Sequence, residues 1–331
     1  MSRDRGPRRL RRLDRRALIA ASMTALSLTA SGCVVVHGER EVLPSTTKAE
    51  AAKALRQFTT AYNNADEKFD SSLDAPHVTG ALSAIDSARL KAGQANNPDG
   101  NAAHTPLTFS DVTYTIPKKA GWPRWFLADA AANKGGTARW LLVFTRSNLN
   151  DPFQVAYLTL VEAGKVPEFK KDADGWAESV PADATGLAAA PGALSKDYAT
   201  YLKSGGDVFA DGSQTSGWRE LREKSANKPG LVTQFIDQPL TSGDYTPLAL
   251  RTADGGALVF FATHHYQKQT ANAAATIPTP NKDVLALTKG EIKQSLTMEF
   301  VSNQVAVDPA TSGGQVSILG RIQGLTSAEG S

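Results

Sequence analysis

One thiol stands alone in this 331-residue chain: Cys33 is its only cysteine. A lone cysteine forms no intrachain disulfide, so its sulfur is free for one covalent attachment. The five histidines, His37, His77, His104, His264 and His265, show no zinc-ligand spacing. His264 and His265 are neighbours on an expected strand and so point to opposite faces. They read as one inward and one solvated ring, with a single catalytic histidine as the competing reading. No G-x-S-x-G elbow, Walker A or G-x-G-x-x-G motif occurs. Gly212-Ser213-Gln214-Thr215-Ser216-Gly217 has the wrong spacing for an elbow and reads as a loop. Lys171-Asp172-Ala173-Asp174-Gly175-Trp176 lacks the third ligand and the closing Glu of a calcium loop, and reads as a hairpin turn. The densest aromatic cluster is Gly121-Trp122-Pro123-Arg124-Trp125-Phe126. Aromatic rings beside an arginine are enriched at interaction surfaces. Trp122, Arg124, Trp125 and Phe126 are therefore the candidate binding surface, with ordinary core as the competing reading. No cofactor and no metal is expected.

Upstream of Cys33 lie eight arginines within the first 16 residues, then the uncharged stretch Ala17–Gly32, closed by Ala30-Ser31-Gly32. A basic segment, an apolar core and small residues at the cut make a secretory leader. Ala30-Ser31-Gly32-Cys33 resembles the lipobox of bacterial lipoproteins, although Ala30 stands where leucine is usual. That resemblance implies that the Cys33 thiol receives a diacylglycerol and becomes the new N-terminus. Arg15-Arg16, followed by Ala17-Leu18-Ile19, resembles a twin-arginine export signal. The alternative is an uncleaved anchor, because Ala17–Val36 is 20 residues without charge. Either way the arginines stay inside and the rest of the chain lies outside. The expected location is the outer face of the cytoplasmic membrane, with the membrane itself as a partner through the diacylglycerol anchor.

The leader also carries the chain's positive charge. The whole chain is +3; residues 1–32 hold eight Arg and two Asp, a net of +6, so the exported part is −3. That leaves no basic footprint for nucleic acid.

The elements that must position any site follow from periodicity. Residues 33–46 read as a lipid-anchored tether. Thr47-Lys48-Ala49-Glu50 fits a capping box, and Leu55, Phe58, Tyr62, Ala65 and Phe69 then recur at helical spacing. A second helix is expected over Val78–Lys91, with Pro76 near its start. Val112, Tyr114 and Ile116 alternate as a half-buried strand. Trp140–Thr145 and Val155–Val161 read as an antiparallel pair joined by a short loop. Pro181–Gly192, rich in Ala, Pro and Gly, is the expected boundary. Beyond it come helices around Leu194–Leu202 and Trp218–Arg222. The expected strands are Leu231–Ile236, Pro247–Arg251, Leu258–His264, Glu291–Phe300 and one holding Val316, Ile318 and Ile322. Gln269–Asp283 reads as a loop insertion. Trp140–Thr145 and Ala257–Thr263 are candidate equivalents in a duplicated order.

The expected class is therefore α+β: a signal peptide (1–32), a tether (33–46) and two helix-then-antiparallel-meander modules (47–180 and 193–325). The Arg-rich leader, Thr29-Ala30-Ser31-Gly32-Cys33, the Ala-rich first helix and Arg139-Trp140-Leu141-Leu142-Val143-Phe144 resemble lipoproteins of high-GC actinobacteria. The two-part order is similar to a pair of NTF2-like cones, a fold that hosts both enzymes and binding modules. The leading expectation is a non-catalytic envelope protein that binds a partner protein or a small envelope ligand. The alternatives are an NTF2-like pocket enzyme with an unassigned acid or base, and the solute-binding component of a transporter. The antiparallel meanders argue against the last.

Overall fold

Thr47 starts the first helix. In the computed structural model, which describes residues 41–310 and 314–331, its hydroxyl accepts from the Glu50 amide at 3.1 Å. The other arm of the box goes elsewhere: the Glu50 carboxylate accepts from the Thr46 hydroxyl at 2.5 Å and from Arg146 at 2.7 Å. Helix α1 spans Lys48–Lys68 and α2 spans Gly80–Asn96. The second helix begins later than its spacing suggests, because Pro76 lies in a separate 3-10 turn, Ala75–His77, and Val78 bridges to Val155. The remaining helices are α3 (Leu194–Ser204), α4 (Ser216–Ala226) and α5 (Lys282–Leu287).

The first seven strands are β1 (Leu43–Pro44), β2 (Phe109–Thr115), β3 (Pro117–Lys119), β4 (Arg124–Ala132), β5 (Arg139–Arg146), β6 (Gln154–Val161) and β7 (Ala177–Val180). Then follow β8 (Asn227–Lys228), β9 (Leu231–Leu240), β10 (Leu248–Arg251), β11 (Ala257–Ala271), β12 (Thr288–Lys289), β13 (Ser295–Asp308) and β14 (Ser317–Gly330). One sheet has four strands in the order β2-β4-β5-β6. The other has ten, in the order β1-β3-β7-β10-β11-β13-β14-β12, with β9 also on β11 and β8 on β9. β3–β7 and β12–β14 pair in parallel, and the other strand pairs are antiparallel.

Side-chain alternation stacks these sheets into four layers. Trp125, Leu127, Leu141 and Val143 of the small sheet pack on Leu258, Phe260, Val301 and Val305 of the large one. Their neighbours Phe126, Ala128, Leu142 and Phe144 turn the other way, onto Leu55 and Phe58 of α1. The outer face of the large sheet places Ala249, Val259 and Phe261 under Leu194, Tyr198 and Leu202 of α3. Both faces of both sheets are covered, so the central strands read as continuous apolar runs. Each fully buried Leu, Val or Phe side chain contributes roughly 1.5–3 kcal/mol. Helix α2 lies beside the small sheet: Ala81 joins the core between the sheets, while Ala88 and Ala92 meet Leu287 of α5. A Cβ on Gly320 would strike the Leu160 carbonyl, so β14 passes β6 where only glycine fits.

The class is α+β, but Val42–Ser331 pack as one unit. Strand pairing crosses the expected boundary: Val180 of β7 pairs with Ala249 of β10, so β3, paired with β7, shares a sheet with the second half of the chain. Pro181–Gly192 is no linker; Leu187 is buried and bridges to Ala310, and the Ala188 amide donates to the Pro309 carbonyl. Its small residues serve close packing. This strand order does not establish a pair of NTF2-like cones, since one four-stranded sheet stacks on one ten-stranded sheet. Nor are Trp140–Thr145 and Ala257–Thr263 equivalent, because β5 and β11 face each other across the central core. The tether is shorter than expected: Leu43 and Pro44 pair with Lys119 and Lys118, and Ser45 and Thr46 are buried. The expected insertion at 269–283 contributes its first residues to β11 and buries Ile277 against Leu231 and Leu296. β13 starts later than Glu291 and runs on to Asp308.

Candidate functional site

The aromatic segment Trp122–Phe126 divides at the start of β4. Trp125 and Phe126 are fully buried on opposite faces, the first in the core between the sheets and the second stacked on Phe144 at 4.7 Å. Arg124 is buried as well; its Nη1 donates to the carbonyls of Leu43, at 3.1 Å, and Lys119. Three of the four expected surface residues are thus structural, because a strand covered on both sides buries consecutive side chains. Only Trp122 lies on the surface, 36% exposed. The guanidinium groups of Arg124 and Arg146 sit 5.7 and 5.9 Å from its ring centroid.

Trp122 borders a cleft of about 390 Å³, with Pro123, Thr145 and Ser147 on one wall and Gly243, Asp244, Thr246 and Leu248 on the other. The second wall is a 3-10 turn, Gly243–Tyr245, held against the start of α2. The Asp244 carboxylate accepts from the Thr79 hydroxyl at 2.5 Å. Gly80 has φ +52°, and a Cβ there would lie 2.5 Å from the Asp244 carbonyl, so this contact requires glycine. Beneath it the Tyr157 hydroxyl donates to the Thr246 carbonyl at 3.1 Å. The cleft therefore offers an indole face, the hydroxyls of Thr145, Ser147 and Thr246, and one carboxylate, a set suited to stacking and hydrogen bonding.

The strongly perturbed groups lie elsewhere. Arg89 of α2 bridges Asp86, at 2.8 Å, and Asp66 of α1, at 2.6 Å. His104 Nδ1 is 2.7 Å from the other Asp66 oxygen. Burial pushes the Asp66 carboxyl up, but hydrogen bonds from His104 and Arg89 outweigh it and hold the group below its ordinary value. Asp74 is raised to about 8, by burial first and then by a hydrogen bond and charge repulsion from Asp86. The raised value keeps the proton on Asp74 at neutral pH. The cluster fastens α1, α2 and the loop carrying His104 to one another. Neither Asp74 nor Asp86 lines the Trp122 cleft. Sequence reading missed this group; the i, i+3 pair Asp86 and Arg89 was its one local signal.

A second buried group lies between the large sheet and α4. Arg222 donates to both oxygens of Asp237 at 2.7 and 2.9 Å, with both side chains nearly inaccessible. Arg222 and Trp218 are the inward residues of α4, and Leu221 is exposed, the reverse of what its type suggests. His265 is buried against Phe300, and burial with nearby Arg321 and Arg222 lowers it to about 2, so it is neutral. His264 is half-buried on the opposite face near Glu299. Asp172 accepts from the Asp174 and Trp176 amides and pairs with Lys118, which makes that segment a turn. Among the described residues no three metal-ligating side chains cluster. Cys33, Arg15 and Arg16 lie outside the described residues.

Residues 42–330 match the family model described as "Domain of unknown function (DUF8094)". The chain belongs to this family. An uncharacterized lipoprotein of Streptomyces coelicolor is similar, 72% identical over 330 residues that cover all of both chains. One from Streptomyces avermitilis is 58% identical over 332 residues, again covering both chains entirely. A second lipoprotein of Streptomyces coelicolor is 26% identical, over 89% of this chain and 88% of its own. No solved structure matches. The family match begins at Val42, where the DUF8094 fold takes up its first strand.

Proposed function

We propose that this protein is a non-catalytic, lipid-anchored lipoprotein of the cell envelope that binds a partner protein or a small envelope ligand at the Trp122 cleft. Its anchor is a diacylglycerol on Cys33, which places the folded unit outside the cytoplasmic membrane. The lipoprotein relatives and the Ala-Ser-Gly-Cys motif support the anchor. One observation carries the binding site: Trp122 is a surface indole over a cleft that also holds Asp244, while Trp125 and Phe126 beside it are core. Among the described residues no helix is long and apolar enough to cross a membrane, and the perturbed carboxylates and His265 are engaged in packing.

The test is a photo-activatable residue at position 122 in the native host, with the same residue at buried position 125 as control. A discrete adduct at 122 alone supports the reading. Turnover of an ester, peptide or glycoside by the purified protein, lost on Asp244→Asn, would replace it with an enzyme.

A further inference from the structure

Val42, nine residues after Cys33, is the first residue of the compact unit Val42–Ser331. Nine extended residues reach at most about 32 Å, so an acylated Cys33 keeps this end of the molecule close to the bilayer. The entry point is fixed: β1 pairs with β3, and Arg124 holds the Leu43 carbonyl.

Exposed apolar side chains gather at this end. Val42 is 61% exposed and Leu43 44%, and Arg124 links the Leu43 carbonyl to the Trp122 ring. Leu149, 71% exposed, sits at the β5–β6 turn. The turn adjoins Trp122, because Arg146 at the end of β5 pairs with Arg124 and Ser147 lines the Trp122 cleft. Val42 also borders a hollow of about 350 Å³ that includes Lys118, Lys170 and Lys171. With Lys119 and Arg124 these make five cations against Asp172, Asp174 and Glu178. Lys118 and Lys170 pair with carboxylates. Lys119 and Arg124 bond carbonyls, so their charge stays uncancelled. Apolar side chains and an indole beside lysines and arginines suit the headgroup level of a bilayer.

We infer that the end bearing Val42, Leu43, Trp122 and Leu149 lies on the lipid surface, as a second contact besides the acyl chain. This rests on the anchoring half of the function proposed above and not on the identity of the cleft's ligand. The cleft then opens at headgroup level.

Tryptophan quenching by lipid tests this. The acylated mature protein is reconstituted into vesicles of phosphatidylglycerol and acyl-brominated phosphatidylcholine. Quenching is expected in the wild type and is reduced in Trp122→Phe, which retains four more buried tryptophans, Trp176 at the Val42 hollow among them. The pair Leu43→Glu and Leu149→Glu lowers the ratio of apposed to detached protein by about tenfold, and these exposed sites leave the fold intact. Emission from Trp122 that ignores the brominated lipid, with intact mass showing acylated protein, overturns the apposition. It leaves the proposed function standing, and an adduct to a protein at position 122 then assigns the surface to that partner. A mass without the acyl group instead removes the anchor.

Discussion

Trp122, Trp125 and Phe126 are four positions apart at most, yet they answer to different physics. Trp125→Ala and Phe126→Ala each empty a filled core site, and the expected loss is about 3–5 kcal/mol, read as a shift of the denaturant midpoint. Trp122→Ala is expected to change stability by less than about 0.5 kcal/mol on the same readout. Asp74 gives a pH signature. Its folded pKa, about 8, lies above the ordinary 3.8, so between these values the folded state holds a proton that the unfolded chain has lost. Stability therefore falls as pH rises from about 4 to 8. Asp74→Asn keeps a donor toward Asp86 and cannot ionise. It is expected to flatten that slope and raise the melting temperature at pH 8, in a series of thermal melts. At residue scale the sequence showed that Cys33 was singular and that His264 and His265 diverge. It did not show Asp66, Asp74, Asp86, Arg89 and His104 as one cluster, because helix and loop packing brings together residues up to 38 positions apart.

Helix starts and strand periods were the most legible elements. Thr47 caps α1 as its pattern implies, and Thr47→Ala is expected to cost about 1 kcal/mol. Helix α4 lies where it was expected; Leu221 is exposed, and the buried residue is Arg222. Its guanidinium is satisfied by Asp237 and lies over the rings of Trp218 and Phe235, at 5.2 and 5.0 Å. Asp237→Ala leaves Arg222 buried without its carboxylate, and the expected cost is about 3–5 kcal/mol by chemical denaturation. Trading both partners for apolar residues of similar volume is expected to recover most of that loss. β13 was read as ending at Phe300 because Ser302, Asn303 and Gln304 break its apolar pattern, although all three are buried. The Asn303 side-chain Oδ1 accepts from the Leu158 amide of the small sheet, while Gln304 donates to Thr263 and Ser302. A local pattern cannot show a polar side chain whose partner lies in another layer.

For the whole molecule, the decisive fact is that strands from both halves of the chain share the large sheet. A cut in the 181–192 segment is therefore expected to unfold the protein rather than release two stable modules, as measured by proteolysis and circular dichroism. Cys33→Ala is expected to move the protein from the membrane fraction to the soluble one, with loss of the acyl mass. By itself, the sequence determined the α+β class and the individual helices and hairpin of the first half, because these are contiguous patterns of size and period. Only the tertiary structure decided that the sheets stack between α1 and α3, that Trp125 and Phe126 are core while Trp122 is surface, and that the chain enters beside that indole. Each of those follows from which face of a strand is covered by a layer formed hundreds of atoms away, and no local pattern carries that information.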